Sequence, residues 1–266
     1  MTVLHSPPAD PGLLSRALEV GGRLANDAAE VISATAHRGC RAEGADRTHP
    51  FDWVTDTGRT LERHTRRVLA AEFPRMPVVG PSYHAVPAGH EYRWLVAPLD
   101  GTANYLAGLP WFGYALALLD TEGPLVGVIS DPSRAEIYAA ARGRGTRVNG
   151  MPIRISRRMS SAGYPICLET DGDWPGGFTA RASAAGAAVR MLGSAALALA
   201  QVALGHAVAA VLTSYHPWEV AAGMALALEA GAVALDKDGN PDPLAPDGLV
   251  VAAPAVAKEV LTWWRD

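Results

Sequence analysis

The stretch Trp94-Leu-Val-Ala-Pro-Leu-Asp-Gly-Thr-Ala-Asn104 passes directly from an apolar run into a polar turn. Residues Arg93 to Val96 predict a buried strand, and Asp100-Gly101-Thr102 predicts a chain reversal after it. Such a reversal exposes backbone N–H groups and a hydroxyl at a sheet edge, which suits a tetrahedral anion if a short helix follows. The alternative is an ordinary Asp-Gly turn, and these residues on their own favour that alternative.

Helical periodicity precedes this stretch. Apolar residues recur three and four positions apart from Leu13 to Ala36, which predicts one long amphipathic helix. A second helix is predicted from Thr57 to Phe73, ending before Pro74. Between the two helices we expect a polar loop over residues 37–51.

Short apolar runs with turn residues at their ends follow the second helix and predict strands. They are Val78–Val79, Phe112–Leu119, Leu125–Ser130 and Glu136–Ala141. In the last third, helices are predicted at Ser194–Leu204 and Trp218–Ala230 around a strand at Ala207–Leu212. Helices flanking a largely buried sheet indicate an α/β or α+β layered enzyme fold.

Length and composition restrict the class of protein. The chain has 266 residues, of which 49% are hydrophobic and 19% charged, so we expect a single domain over residues 1–266 with lobes at about 13–150 and 151–266. No apolar run reaches the roughly 20 residues of a membrane span. Residues 1–14 lack the pattern of a signal peptide. We therefore expect neither a membrane nor a secretory location.

Charge and cysteine content exclude further classes. The net charge is −4 and no long basic stripe occurs, which argues against nucleic acid and anionic membranes as partners. Cys40 and Cys167 are the only cysteines, too few for a disulfide framework or a cysteine zinc site. A reducing, cytoplasmic location is the expectation.

A second polar segment is His216-Pro-Trp-Glu-Val-Ala-Ala-Gly223, which places Glu219 in the first turn of a predicted helix. The helix dipole alone favours an acid there, so this residue need not be functional. Three more segments accompany these two: Asp52-Trp-Val-Thr55, Val78-Val79-Gly80 and Gly193-Ser-Ala-Ala-Leu197. In this order and spacing the set resembles the inositol monophosphatase superfamily over about residues 14–235.

The resemblance implies an αβαβα sandwich, as in inositol monophosphatase and fructose-1,6-bisphosphatase. It also implies that the Asp-Gly-Thr turn holds phosphate and that carboxylates hold Mg²⁺. Asp131-Pro132, the hairpin from Gly143 to Gly150, and Arg190 are similar to the family as well. Family members are commonly homodimers, and the resemblance extends that expectation to this chain.

Several family carboxylates are replaced here. The metal-binding Glu of the Gly-Glu-Glu element corresponds to Pro81, and the first Asp of Asp-Pro-(Ile/Leu)-Asp-Gly-Thr to Ala97. The Asp that closes Val-Thr-x-x-Asp corresponds to Gly58. The acid that contacts inositol hydroxyls in the family corresponds to Leu212. The resemblance therefore predicts that a full metal cluster cannot form.

A reduced set of donors remains. Thr55 and Asp100 are kept, and Glu219 replaces the Asp of the family's Trp-Asp element. Mg²⁺ needs near-octahedral oxygen coordination. Two carboxylates and the Leu99 carbonyl could hold one weak Mg²⁺ ion if substrate oxygens complete its shell. Our main expectation is that no cofactor takes part, since Thr55 alone would not activate water.

The first hypothesis is therefore a repurposed enzyme that acts without hydrolysis on a phosphate or sulfate ester of a small metabolite. Metal-independent elimination or ring closure, a lyase or cyclase reaction, would release the oxyanion. Fewer carboxylates make the pocket less repellent to an anion in the absence of metal. Asp100 or Glu219 would accept the nucleophile's proton, and Gly101, Thr102 and Asn104 would bind the departing anion.

Three further residues belong to the predicted site. His84 and His216 are candidates to supply positive charge or a proton, and Tyr83 is a candidate of the same kind. The alternatives are a solvated loop histidine for His84 and packing against Trp218 for His216.

Two other hypotheses remain open. One is a weakened Mg²⁺-dependent phosphomonoesterase that uses Asp100, Glu219 and a single ion. The other is a non-catalytic scaffold or ligand-binding protein, because a fold by itself licenses no activity.

Overall fold

The computed structural model describes residues 10–36, 46–49, 52–83, 89–156, 159–170 and 176–265. Within these ranges the chain forms seven helices and fourteen strands. The helices are α1 (Pro11–Ala36), α2 (Asp56–Glu72), α3 (Thr102–Ala107), α4 (Phe178–Ala184), α5 (Ala195–Leu204), α6 (Pro217–Ala230) and α7 (Ala257–Arg265).

The strands form one small sheet and two large ones. The first strands are β1 (Asp46–His49), β2 (Asp52–Val54), β3 (Val78–Val79), β4 (Arg93–Asp100), β5 (Gly113–Asp120), β6 (Gly123–Asp131) and β7 (Glu136–Ala141). The remainder are β8 (Gly145–Val148), β9 (Met151–Ile153), β10 (Pro165–Glu169), β11 (Ala188–Arg190), β12 (Ala209–Leu212), β13 (Val233–Leu235) and β14 (Leu249–Ala252).

The larger sheet has seven strands in the order of the sequence, from β3 to β9. Its first pair, β3 and β4, is parallel, and every later pair is antiparallel. The second sheet has the order β11-β10-β12-β14-β13, with β10 parallel to both of its neighbours. β1 and β2 pair separately.

The helices and the two large sheets build five layers. α1 and α2 cover one face of the seven-stranded sheet, and α6 and α5 lie between the two sheets. α4 and α7 complete the outer side of the five-stranded sheet. Each sheet thus buries apolar residues on both of its faces, and the predicted αβαβα sandwich is confirmed. Among the helices of the described ranges, none has the length and hydropathy that crossing a membrane requires.

Most predicted elements lie within two residues of the observed ones, but two predictions need correction. β4 continues to Asp100, four residues beyond its predicted end at Val96. An irregularity of register between Ala97 and Asp100 absorbs the residues that looked like a turn. The predicted loop over 37–51 contains strand β1, and its other residues lie outside the described ranges.

The contact between α6 and β6 holds the helix that carries Glu219, and Gly127 makes it possible. A Cβ at Gly127 would overlap the Ala222 carbonyl oxygen and lie 2.8 Å from the Ala225 Cβ. We expect Gly127→Ala to lower the free energy of unfolding by about 2 kcal/mol, because α6 must move off the sheet.

The matched control is Gly22→Ala in α1, where a Cβ would meet no atom within 4 Å. This substitution is expected to raise the free energy of unfolding by about 0.5 to 1 kcal/mol, since alanine is the better helix former. Denaturant titration of both variants measures the difference. Equal effects of the two substitutions would contradict the close approach of α6 to β6.

Candidate active site

Asp100 ends β4 and is 7% exposed. Its Oδ2 accepts hydrogen bonds from the Ala196 N–H, at 3.0 Å, and from the Ser194 hydroxyl. Both donors belong to the N-terminal end of α5, where Ser194 is the N-cap. The carboxylate is therefore fixed by a helix start on the neighbouring layer, which also favours its negative charge.

Gly101 makes the turn that follows Asp100. Its φ is +75°, in the left-handed region that favours glycine. A Cβ here would overlap the Trp111 carbonyl oxygen and lie 3.1 Å from the Phe112 Cα. The glycine thus allows the chain to reverse tightly against the segment that leads into β5.

Thr102 begins α3, and its hydroxyl donates to the Leu99 carbonyl oxygen at 2.7 Å. The sequence assigned the Thr102 hydroxyl to the anion and the Leu99 carbonyl to the metal, and this bond joins the two groups. In this arrangement the hydroxyl can accept another hydrogen bond but cannot donate one. Donation to an anion requires the hydroxyl to rotate away from Leu99.

Asn104 joins the turn to the loop before α5. Its Nδ2 donates to the carbonyl oxygens of Trp111 at 2.8 Å, Leu192 at 2.7 Å and Gly193 at 3.3 Å. An amide has two N–H hydrogens, and both are directed at backbone oxygens here. Asn104 therefore positions the turn against the loop before α5, and its N–H groups are not available to the anion that the sequence assigned to it.

Thr55 is the N-cap of α2 and is buried. Its Oγ1 accepts from the Gly58 N–H at 3.0 Å. A Cβ at Gly58 would lie 3.4 Å from Thr55 Oγ1 and 3.8 Å from the Leu99 Cβ, which are ordinary contacts. The first turn of α2 therefore lies beside the end of β4, so the structure brings Thr55 to the turn that carries Asp100.

Glu219 and His216 lie together at the start of α6. The Glu219 Oε2 accepts from the His216 N–H at 2.9 Å, so the carboxylate caps its own helix. The exposed His216 ring stacks on Trp218, with 4.5 Å between centroids and 10° between planes. Glu219 thus lies in the first helical turn, as the helix-dipole alternative supposed, and His216 packs against Trp218, as its alternative supposed. Neither arrangement excludes a role with substrate.

Glu62 and Arg66 were missed by the sequence reasoning. Glu62 is 2% exposed, and its Oε1 accepts from the Arg66 Nη2 at 2.8 Å. Its Oε2 accepts from the Ser82 hydroxyl at 2.6 Å. The only signal in the sequence was a Glu-Arg pair four residues apart, which is also typical of an exposed helix face.

Tyr83 follows Ser82, whereas His84 lies outside the described residues.

Glu169 was missed as well. It ends β10, is buried, and accepts from the backbone N–H groups of Leu192 at 2.8 Å and Gly193 at 2.9 Å. It is paired in register with Leu212 of β12. A buried acid thus lies on the strand next to Leu212, and it fixes the loop that leads into α5.

Two buried groups outside the Asp100 turn have a raised pKa. Burial raises the pKa of the Asp131 carboxyl, while the Arg134 N–H donates to it at 3.2 Å and opposes the shift. Burial also raises the pKa of the Cys167 thiol to about 12, so this thiol is protonated at neutral pH and is no nucleophile.

The donors that fit a metal ion are few. Among the described residues, no three His, Cys, Asp or Glu side chains lie close enough together to hold one. Asp100, the Leu99 carbonyl and Glu219 supply oxygen donors, and Mg²⁺ is commonly held by one or two carboxylates with water and substrate phosphate in the other positions. Of these donors, Asp100 and the Leu99 carbonyl are adjacent at the end of β4, and such a pair of oxygen ligands suits an ion whose remaining positions are filled by water and substrate.

Comparison with known proteins identifies the family of this chain. The model of the Inositol monophosphatase family matches residues 14–263. The chain belongs to this family. Nus factor SuhB of Pasteurella multocida is 30% identical to it over 217 residues, covering 79% of this chain and 81% of that protein. Inositol-1-monophosphatase of Rhizobium meliloti is 31% identical over 217 residues, with the same two coverages.

A solved structure of the same family has the same fold. The structure of inositol monophosphatase from Anabaena (Nostoc) sp. PCC 7120 matches this one with a TM-score of 0.83 and 25% identity. The match covers 94% of this chain and 96% of that chain. Both the family resemblance and the fold class that the sequence suggested are confirmed.

The first functional hypothesis is wrong. The family match, together with a relative named for phosphatase activity, contradicts non-hydrolytic elimination or ring closure and the lyase or cyclase class. The error was to treat each replaced carboxylate as proof that hydrolysis had been lost. A phosphatase can retain fewer protein ligands, since substrate oxygens and water complete the shell of Mg²⁺.

The expectation that no cofactor takes part also finds no support. One structural neighbour, an IMPase/NADP phosphatase with a TM-score of 0.83, was solved with Mg²⁺ and phosphate. It is 20% identical to this chain, so it shows the fold alone. The weak single-ion alternative is consistent with membership of this family.

Proposed function

We propose that the protein is a Mg²⁺-assisted phosphatase of small phosphate monoesters. The observation that supports this most is the buried Asp100 carboxylate beside the Gly101 turn, held by Ser194 and Ala196 in a family of phosphatase relatives. The reaction adds water to the ester and yields an alcohol and inorganic phosphate.

The metal would be held by Asp100, the Leu99 carbonyl and Glu219. When bound, it would offset the negative charge of the phosphoryl oxygens and lower the pKa of a water ligand. The protein contributes the position of these donors. Ser194 and the Ala196 N–H keep one oxygen of Asp100 directed at α5, which limits how the carboxylate can rotate.

The other residues of the site orient the substrate and water. The Thr55 oxygen accepts from the Gly58 N–H, so its own hydrogen can donate to a phosphate oxygen or to the attacking water. The backbone at Gly101 and Thr102 lines the same turn. The exposed His216, beside Glu219, can deliver a proton to the departing alkoxide.

Release of inorganic phosphate at millimolar Mg²⁺ tests this function. We expect hydrolysis of small monoesters such as inositol-1-phosphate, with the rate rising with Mg²⁺ and falling to background in excess EDTA. An EDTA titration that is reversed by added Mg²⁺ is the control for irreversible damage. No phosphate release from a panel of esters would refute the proposal and favour the non-catalytic scaffold hypothesis.

Two further expectations accompany this proposal. We infer a cytoplasmic homodimer, on the ground of the family resemblance and the low cysteine content. Leu109 and Met191 are exposed large apolar side chains on the two segments that Asn104 joins, and they are candidates for the dimer contact. Light scattering of the purified protein would measure its mass directly.

A further inference from the structure

The turn from Gly80 to Tyr83 lies at the edge of the seven-stranded sheet that carries the site. It follows β3, which is the parallel neighbour of β4 and ends opposite Leu95, so the turn begins beside Val96, four residues before Asp100 on the adjacent strand. Two backbone hydrogen bonds of 3.1 Å join Gly80 and Tyr83 in both directions. A Cβ at Gly80 would lie 2.8 Å from the Val96 carbonyl oxygen, so the turn is packed directly on β4.

Glu62 and Arg66 support this turn from below. The Glu62 carboxylate accepts from the Ser82 hydroxyl at 2.6 Å and from the Arg66 Nη2 at 2.8 Å. The Arg66 Nη1 donates to the Val78 carbonyl oxygen at 2.6 Å. The guanidinium is therefore bound on two sides, and its plane is fixed between α2 and the turn.

Tyr83 rests on this fixed guanidinium. The Arg66 Cζ lies 4.4 Å from the centroid of the tyrosine ring, a cation–π contact. Tyr83 is nevertheless 62% exposed. Both its backbone and its stacking partner are held in place, so little side-chain entropy remains to be lost when a ligand covers the exposed face.

We propose that Tyr83 is a specificity-determining residue that stacks on a planar ring in the alcohol part of the phosphate ester, and that Glu62 and Arg66 are its positioning residues. The proposal rests on the proposed function, because the phosphate must be bound at the Asp100 turn for the ring to reach Tyr83. The substrate class is then phosphate monoesters that carry an aromatic or heteroaromatic ring. Stacking of two rings adds modestly to the burial of their surfaces, so it selects among esters that the phosphate site already accepts.

Binding of two phosphonates, which are not hydrolysed, tests the proposal by calorimetry in the presence of Mg²⁺. We expect phenylphosphonate to bind the wild-type protein roughly three- to tenfold more tightly than methylphosphonate. Tyr83→Ala should remove this difference and leave the affinity for methylphosphonate unchanged. Tyr83→Phe should retain it, because the ring is kept.

Two more variants test whether the affinity ratio depends on Tyr83 and its positioning residues or on the stability of the protein in general. Tyr164→Ala removes another exposed tyrosine, 42% exposed and directly before β10, and should preserve the affinity ratio. The double variant Glu62→Gln/Arg66→Met removes both charges below Tyr83 and should lower the ratio without changing the affinity for methylphosphonate. A merely structural role of the pair would change both affinities together.

The possible failures are distinguishable. Equal affinities of the two phosphonates for the wild-type protein, or an unchanged ratio in Tyr83→Ala, would overturn the role of Tyr83 and leave the phosphatase proposal intact. If neither phosphonate binds with Mg²⁺, the phosphate site itself is absent, and both proposals fail.

Discussion

Asp100→Asn is expected to lower kcat/KM for phosphate release by roughly a hundred- to a thousandfold, the range seen when one preorganised electrostatic group is lost from an active site. Asparagine has the same shape, and its oxygen can still accept from the Ser194 hydroxyl and the Ala196 N–H. The fold should therefore survive while the charge that would hold Mg²⁺ is lost. Steady-state phosphate release, with thermal unfolding as the check on folding, measures both effects.

Asp131→Asn is the matched control for this substitution. Asp131 is also a buried aspartate at the end of a strand of the same sheet, two strands away from β4. Its carboxylate accepts from the Arg134 N–H and belongs to the turn between β6 and β7. We expect this variant to change kcat/KM by less than a few-fold. Equal activity of Asp100→Asn and the wild-type protein would show that Asp100 only caps α5, and the phosphatase mechanism would lose its central residue.

The sequence predicted the architecture well because hydrophobic period and turn residues are local signals. The limits of α1, α2 and α6 follow from apolar spacing and flanking prolines and glycines, and the structure places them within two residues of prediction. The strand predicted at Arg93–Val96 stops short of the observed end of β4, because an irregular pairing with β5 between Ala97 and Asp100 keeps the following residues in the strand. A local sequence pattern cannot predict how β4 pairs with β5, because that pairing depends on the tertiary structure.

The site was predicted less completely, because its contacts join distant parts of the chain. Asn104 and Leu192 are separated by 88 residues, and their hydrogen bond assigns the amide to the backbone instead of to an anion. Glu62 meets Ser82 only through the packing of α2 on the sheet. The functional error had a different cause, since counting replaced ligands ignored the donors that substrate and water supply to Mg²⁺.

Gly101→Ala is expected to lower both the free energy of unfolding and kcat/KM, because it distorts the backbone of the turn. The added Cβ would overlap the Trp111 carbonyl oxygen, approach the Phe112 Cα and force a left-handed φ on alanine. Left-handed strain alone costs about 1 to 2 kcal/mol. We therefore expect a loss of about 3 kcal/mol in the free energy of unfolding once the overlap is included. The turn should also shift away from Asp100 and lower kcat/KM by roughly a hundredfold.

Gly108→Ala separates strain from overlap. Gly108 ends the same helix, α3, with a φ of +74°, but a Cβ there would meet no atom within 4 Å. This variant should lose only the left-handed strain, about 1 to 2 kcal/mol, and keep its phosphate release. If Gly101→Ala loses no more stability and activity than Gly108→Ala, the close approach of Trp111 does not hold the turn. The Asp-Gly pair would then be an ordinary reversal whose glycine serves the backbone alone.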